Sequence, residues 1–384
     1  NSADEPIWVY HKQFGWLKST ITPKNEDEIY NYSSIIGRKV GRQITTLSPL
    51  MDAHLTTGDR VNATLSPISR GNTITIRKFA RNPWTITHLI DPSINTLNAE
   101  VAAFLWLGME YELSIIMAGG TGSGKTTFLN SIMPFVPPNQ RILSIEDTRE
   151  LNLPKYLHWV PMTTRQPNPE GKGEVSMLDL VVNSLRMRPD RIIVGEIRRQ
   201  REAEVLFEAM HTGHSVYSTL HANTAEQVKR RMTSPPISLP ESMLEALHLV
   251  CVQFRDRRKG VRRTFQLAEV VPLAGREGTA MVDLNVLYVW RASEDKLVKI
   301  RSSQRVYEEI MLHAGMQEKE IEEDLKEKVN VLNWLSANKI NTVNTVGKIF
   351  ADYYRNKQEV LDWVLKNKKP EDVFPESLFK EIKK

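Results

Sequence analysis

Cysteine is nearly missing from this sequence: Cys251 stands alone among 384 residues. One thiol can close no disulfide framework and offers no paired-cysteine zinc site, so a reducing cytoplasm is the expected compartment. Long apolar runs are missing too. The most apolar stretch, Val101 to Met117, is interrupted by Glu110 and Glu112 and falls short of the roughly 18 residues that a bilayer-spanning helix requires. Association with a membrane is therefore expected to be peripheral or through a partner. The chain opens on Asn1 with no signal-peptide pattern, which reads as a fragment or processed chain with residues missing upstream. There is also no Asn-Lys-x-Asp segment of the kind that reads a guanine base.

What remains is ordinary globular material, 41% hydrophobic and 25% charged, sufficient for two or three domains. A formal charge of +5 and a pI near 9.1 are mildly basic. They admit nucleotide, nucleic acid or an acidic membrane surface as partners and select none of them.

One stretch organises the rest. Gly119-Gly120-Thr121-Gly122-Ser123-Gly124-Lys125-Thr126 satisfies the phosphate-loop pattern G-x-x-x-x-G-K-[ST] in full. A triphosphate needs many backbone N–H groups turned into one concavity, and glycine lets the chain approach without Cβ clashes. Lys125 is expected to place its charge on the β- and γ-phosphates and the Thr126 hydroxyl to ligate Mg²⁺. A helix continuing through Thr127 to Met133 would turn its positive end toward the anion. Leu113–Ala118 reads as the buried strand before the loop, and Pro134 stops the helix after it.

In chain order, residues 1–82 mix short β-type runs with a helical segment after Pro23, a small α+β domain. Within it, Thr57–Arg60 reads as a hairpin turn and Thr73–Phe79 as an alternating strand, which places Arg60 and Arg77 near strand ends. Residues 83–97, with Pro83 and Pro92, read as a linker, and Asn98 as a helix cap. From 98 to 272 strands alternate with helices, the pattern of a mostly parallel sheet covered on both faces. Its strands are expected at Leu113–Ala118, Arg141–Ile145, Arg191–Val194 and Ser215–Leu220, each ending in polar residues where an open α/β sheet places its ligand crevice.

Glu146, at the end of the second of these strands, is expected to hold Mg²⁺ through water or to orient the attacking water. Glu196 ends the third strand, an apolar run that has the form of a Walker B strand. A buried carboxylate is costly there without such a task, which makes Glu196 the candidate for activating water. His221 lies just beyond the fourth strand, on the ligand side, where it could sense or polarise the γ-phosphate; His214 enters from the opposite end. Ser176–Asp179 reads as a capping box opening a helix that packs Leu178, Val181, Val182 and Leu185 on the sheet. Gln166–Glu174 reads as a flexible loop and Arg255–Arg263 as a basic hairpin turn, solvated, with acidic lipid, protein or nucleic acid as the alternatives. Residues 273–384 combine β-type pieces with helices of Glu/Lys-rich surface and read as a mostly helical C-terminal domain.

Taken together, Gly119–Thr126, Ile145–Leu151, Met187–Arg198 and Gly213–Asn223 resemble, in order and spacing, the Walker A, Asp, Walker B and His boxes of the secretion ATPase superfamily, and the remainder of the chain beyond Pro272 resembles its archaeal branch. The resemblance implies a RecA-like P-loop domain between a small α+β, PAS-like N-terminal domain and a helical C-terminal region. It implies a homo-hexameric, Mg²⁺-dependent ATPase, with the metal near Thr126, Glu146 and Glu196. It further implies that Arg60 and Arg77 reach the γ-phosphate when the N-terminal domain closes. The expected partner is an integral membrane platform protein of a secretion, type IV pilus-like or archaellum system at the cytoplasmic face, and nucleic acid is not expected. A RecA-like nucleic-acid translocase using the turn near Arg258 is the alternative. The sequence departs from the bacterial type II branch in lacking its paired-cysteine insert, and from the pilus retraction branch in carrying Thr148 where a proline usually stands.

Overall fold

The computed structural model describes residues 2–11, 14–55, 57–78, 82–168, 170–274 and 280–378, and the chain divides into two compact units. The first comprises the residues up to 81 together with 148–150 and 164–176. It holds a two-stranded hairpin, β1 (Trp8–His11) and β2 (Gly15–Lys18), a helix, α1 (Glu26–Lys39), and a three-stranded antiparallel sheet of β3 (Leu50–His54), β4 (Arg60–Thr64) and β5 (Thr73–Arg77). Asn25 starts α1 by accepting the Glu28 N–H, with acids in the first turn and Arg38 and Lys39 in the last, which suits the helix dipole. Along β3 and β4, Met51, Ala53, Val61 and Ala63 are buried and their neighbours are turned outward. This period of two builds the small core with Ile44 and Leu65. The expected α+β character of the N-terminal region is present; of the expected strand Thr73–Phe79, Phe79 lies outside the described residues.

The second unit comprises the rest. It opens with α2 (Ile86–Ile90), α3 (Ala99–Glu110), β6 (Ile115–Gly119), α4 (Lys125–Ile132), β7 (Arg141–Glu146), β8 (His158–Thr163), α5 (Met177–Ser184), β9 (Arg191–Val194), α6 (Gln200–His211), β10 (Ser215–Leu220) and α7 (Ala225–Thr233). It continues with β11 (Leu249–Asp256), β12 (Val261–Ala274), β13 (Ala280–Arg291) and β14 (Lys296–Lys299). It closes with α8 (Arg305–Ala314), α9 (Glu318–Ala337), α10 (Val343–Arg355), α11 (Lys357–Leu365) and α12 (Pro370–Val373). One nine-stranded sheet runs β14-β13-β12-β11-β6-β10-β9-β7-β8. The strands from β11 to β8 are parallel, and β12 to β14 extend the sheet antiparallel.

Alternate residues of β6 face opposite cores. Ile115 and Met117 join α3, α4 and the C-terminal helices, whereas Ile116 and Ala118 join α5, α6 and α7. Burial on both sides is why this strand reads as an unbroken apolar run. It also accounts for Val101–Met117: α3 is apolar on all sides because the sheet and α9 enclose it. No helix among the described residues is long and apolar enough to cross a membrane.

Three expectations fail here for physical reasons. Pro272 is no boundary: it pairs with Val282 inside the sheet. The partner strand β11 reaches only as far as Glu269, so the N–H that proline lacks has no strand beside it to miss. Residues 83–97 are no linker, because Ile86, Leu89 and Leu97 are buried in the core beside α3. On α5, Val182 is exposed and Met177 takes its place in the core, while Leu178 and Leu185 are partly buried as expected.

Two buried polar clusters join the C-terminal helices to this unit. Glu269 of β12, fully enclosed, accepts hydrogen bonds from Asn285 (2.7 Å), Ser303 Oγ (2.6 Å) and the Gln304 N–H (2.8 Å). Lys328 of α9, equally enclosed, pairs with Asp324 and with Glu110 of α3 (2.8 Å) and lies 5.2 Å from the centre of the Trp106 ring. A buried ammonium persists only with such partners.

Candidate functional site

β6 ends at Gly119, and the chain turns through the loop into α4. The glycines are required by shape. A Cβ on Gly119 would stand 2.4 Å from both the Gln253 carbonyl oxygen and Ser123 Oγ, and Gly122, at a φ of +73°, takes a left-handed conformation that other residues resist. Lys125 is buried, with Nζ donating to the carbonyls of Gly119 (3.0 Å) and Gly120 (3.3 Å). Ser123 Oγ is buried with no hydrogen-bond partner among the described residues. A glycine cradle, an orphaned hydroxyl and a lysine folded over the loop suit a phosphate chain. Thr126 and Thr127 follow on the first turn of α4, Thr127 on its exposed side.

The neighbouring strands deliver their polar ends to the same edge. Leu220 of β10 stands in register with Ala118 of β6, so the next residue, His221, is level with Gly119. β9 ends at Val194, and Gly195 is tied to both neighbours, donating to Ile145 O (2.9 Å) and accepting from Thr219 Oγ1 (2.6 Å). That fixes the direction in which Glu196 leaves the sheet. His221 then bridges two predicted residues: Nδ1 lies 3.3 Å from Lys125 Nζ and Nε2 lies 3.1 Å from Glu196 Oε1. An ammonium can only donate, so Nδ1 accepts and Nε2 carries the proton that goes to Glu196. The pKa of His221 is held below the ordinary histidine value, first by burial and then by the Lys125 charge, against the opposing pull of Glu196.

Arg198 grips the other oxygen of Glu196 through Nη2 (2.7 Å) and Nε (3.0 Å), and its Nη1 holds Asp147 (2.7 Å). Glu146, at the end of β7, is buried, and its Oε1 accepts the Leu151 N–H at 3.1 Å. Lys125, His221 and Glu196 thus touch in sequence along the carboxyl ends of β6, β10 and β9, while Glu146 ends the strand next to β9. His214 is at the far end of β10, hydrogen-bonded to the Ala209 carbonyl (3.2 Å). Arg60 and Arg77 belong to the first unit, opposite each other on β4 and β5; Arg60 pairs with Asp52, and Arg77 with Glu150 at 3.5 Å.

No cluster of three or more potential metal-ligating side chains exists among the described residues. Mg²⁺ does not demand one, because it is commonly held by one or two protein oxygens together with substrate phosphates and water. Thr126, Glu146 and Glu196 are donors of the right chemistry for that arrangement.

Sequence reasoning missed Arg262 and Arg255. Arg262 Nε donates to the Gly122 carbonyl at 3.0 Å, and Arg255 Nη1 lies 2.8 Å from where a Gly122 Cβ would stand. The turn that read as solvated is therefore flanked by residues that lie against the phosphate loop. Only the pairing of β11 with β6 reveals this; a run of basic residues carries no such signal.

A model of the family described as type II/IV secretion system protein matches residues 36–259. An uncharacterized protein of Methanocaldococcus jannaschii is 36% identical over 92% of this chain, which spans 64% of that relative. Another uncharacterized protein of the same organism is 37% identical over 68% of this chain and 96% of its own length. The type IV secretion system protein PtlH of Bordetella pertussis is 31% identical over 67% of this chain and 85% of its own. Among solved structures, the ATPase DotB of Legionella pneumophila aligns with 99% of this chain and 89% of its own at a TM-score of 0.48 and 21% identity. With the family model spanning more than half of its length, this chain belongs to the type II/IV secretion system protein family.

Proposed function

We propose that this chain is a motor ATPase that hydrolyses ATP with Mg²⁺ and passes the resulting movement to a membrane-bound secretion or filament-assembly machine. The contact of Lys125, His221 and Glu196 along three neighbouring strand ends is the observation that carries this reading. Mg²⁺ held there would offset the negative charge that develops on the phosphate oxygens. The loop N–H groups and Lys125 bind the phosphate chain, and Thr126 with Glu146 would hold the metal. Glu196 takes the proton of the attacking water, and His221 holds Glu196 in place while it contacts Lys125, so that a change at the phosphate reaches the base.

Family membership and the type IV secretion relative support the machine-level part of the reading. In it, a homo-hexamer docks on an integral membrane platform protein at the cytoplasmic face. Closure of the N-terminal unit brings Arg60 and Arg77 to the γ-phosphate, and its release after hydrolysis does the work. A secreted substrate, a type IV pilus-like filament and an archaellum are the candidate loads. The deciding experiment measures ATP turnover by the purified chain with Mg²⁺ and with a chelator. Turnover that needs the metal and vanishes in Lys125→Ala supports the reading, and a wild-type chain that neither binds nor turns over ATP overturns it.

A further inference from the structure

We propose that Arg255 is a phosphate ligand of the nucleotide held by the loop, and that Arg262 is the positioning residue that fixes it there. The inference rests on reading Gly119–Thr126 as a nucleotide site and extends it to a hairpin that none of the site motifs includes.

The sheet explains how the two arginines come to the loop. β11 runs parallel to β6 with Gln253 opposite Gly119, so where β6 gives way to the loop, β11 continues beside it. Two residues later comes Arg255. The antiparallel return along β12 sets Arg262 directly across from it. Like charges directly opposite on a sheet repel and destabilise the pair. Among the described residues no carboxylate forms an ion pair with Arg255, and its Nε is buried without a hydrogen-bond partner. A half-buried guanidinium facing a second guanidinium, with a donor left over, is a costly arrangement for a protein that holds nothing there.

An anion in the loop removes that cost. Arg255 already lies against Gly122, and the Arg262–Gly122 hydrogen bond ties the hairpin to the same point. Lys125 supplies a point charge within the loop. Arg255 adds a planar donor set suited to two phosphate oxygens at once, a geometry an ammonium does not reproduce. Arg262 uses Nε on the loop carbonyl, so its task is to hold the hairpin.

The test measures binding directly, using the full chain with Mg²⁺ and two probes, ATP and inorganic triphosphate, which lacks base and sugar. Thermal melting of each variant is followed in parallel. Arg255→Gln should weaken both probes by about tenfold to a hundredfold at an unchanged Tm, with Arg255→Lys falling between it and wild type. Arg262→Gln should weaken binding less, and its effect should disappear in the Arg255→Gln background, as for two residues acting through one contact. Wild-type affinity in a folded Arg255→Gln variant overturns the proposal, as does loss of ATP binding with triphosphate binding intact, which would assign Arg255 to base or sugar. If Arg255→Gln does not fold, Arg255→Lys decides by the same comparison. Failure of the underlying nucleotide-site reading looks different: wild type then binds neither probe, and Lys125→Ala changes nothing.

Discussion

Glu196 and His221 meet with Oε1 and Nε2 3.1 Å apart, although the chain separates them by an entire helix and strand. The pairing gives each residue a separable role. Glu196→Gln keeps the shape and loses the base, so ATP should bind with near wild-type affinity while turnover falls by about a hundredfold to ten-thousandfold. Parallel measurement of nucleotide binding and phosphate release checks this, and wild-type turnover in the variant would remove Glu196 from its assigned role.

The acid limb of the pH profile should belong to His221. Because the fold depresses its pKa, the folded chain binds fewer protons there than the unfolded chain as pH falls below the ordinary histidine value of about 6.5. The neutral imidazole is thus present above that value. Its contribution to stability is lost as pH drops through the depressed folded value. Turnover should hold through about pH 6.5 and decline only below it, and His221→Gln should lower the plateau and abolish that decline. A wild-type profile that breaks above pH 6.5 would contradict this assignment.

Lys125→Ala removes the donor to two loop carbonyls and the charge expected on the phosphates. Affinity for ATP should drop by at least about a hundredfold, with a smaller loss for adenosine, which has no phosphate. Titration with both ligands separates phosphate binding from a general collapse of the loop.

The enclosed Lys328 gives a prediction about stability alone. Lys328→Ala removes the cation held by Glu110 and leaves Asp324 with Lys357 alone, and should lower stability by about 3–5 kcal/mol. Lys328→Met, which refills the volume over Trp106, should lose less. Urea unfolding followed by tryptophan fluorescence reads the difference.

Cys251, wholly buried on β11, has its thiol pushed up to about 12 by desolvation. It should resist iodoacetamide at pH 8 in the folded chain and react promptly in denaturant. Mass spectrometry of the labelled protein then reports opening of the central sheet.

The parts of the fold most legible in the sequence were those fixed by local chemistry. Arg191–Val194 and Ser215–Leu220 are strands with the expected limits; the first is legible in its apolar Ile192–Val194 and the second in its β-type residues, although Arg191, Ser215, Ser218 and Thr219 are buried as well. The loop, Glu196 and His221 were legible because their spacing and strand-end positions are themselves chemical constraints. Arg255 and Arg262 were not, since their place depends on which strand lies beside β6, a long-range pairing that composition does not encode. Val182 misled because it sits one position from Val181, and helical period alone does not distinguish the inner of two adjacent valines. The boundary at Pro272 is not borne out because the place of a proline within a strand depends on how far the neighbouring β11 extends, a long-range pairing the sequence does not display.

β12 spans 14 residues and shifts register once against each of its neighbours. Near one end Arg262 donates to the Gly122 carbonyl of the glycine-rich loop; seven positions on, roughly 23 Å at strand spacing, Glu269 anchors the first residues leading into α8. The same strand thus contacts the glycine-rich loop near one end and the start of the C-terminal helices further along, with a shift of register against each neighbouring strand in between. A substitution at Glu269 that loosens the Ser303–Gln304 anchor is therefore made on the strand that also carries the Arg262 contact to Gly122.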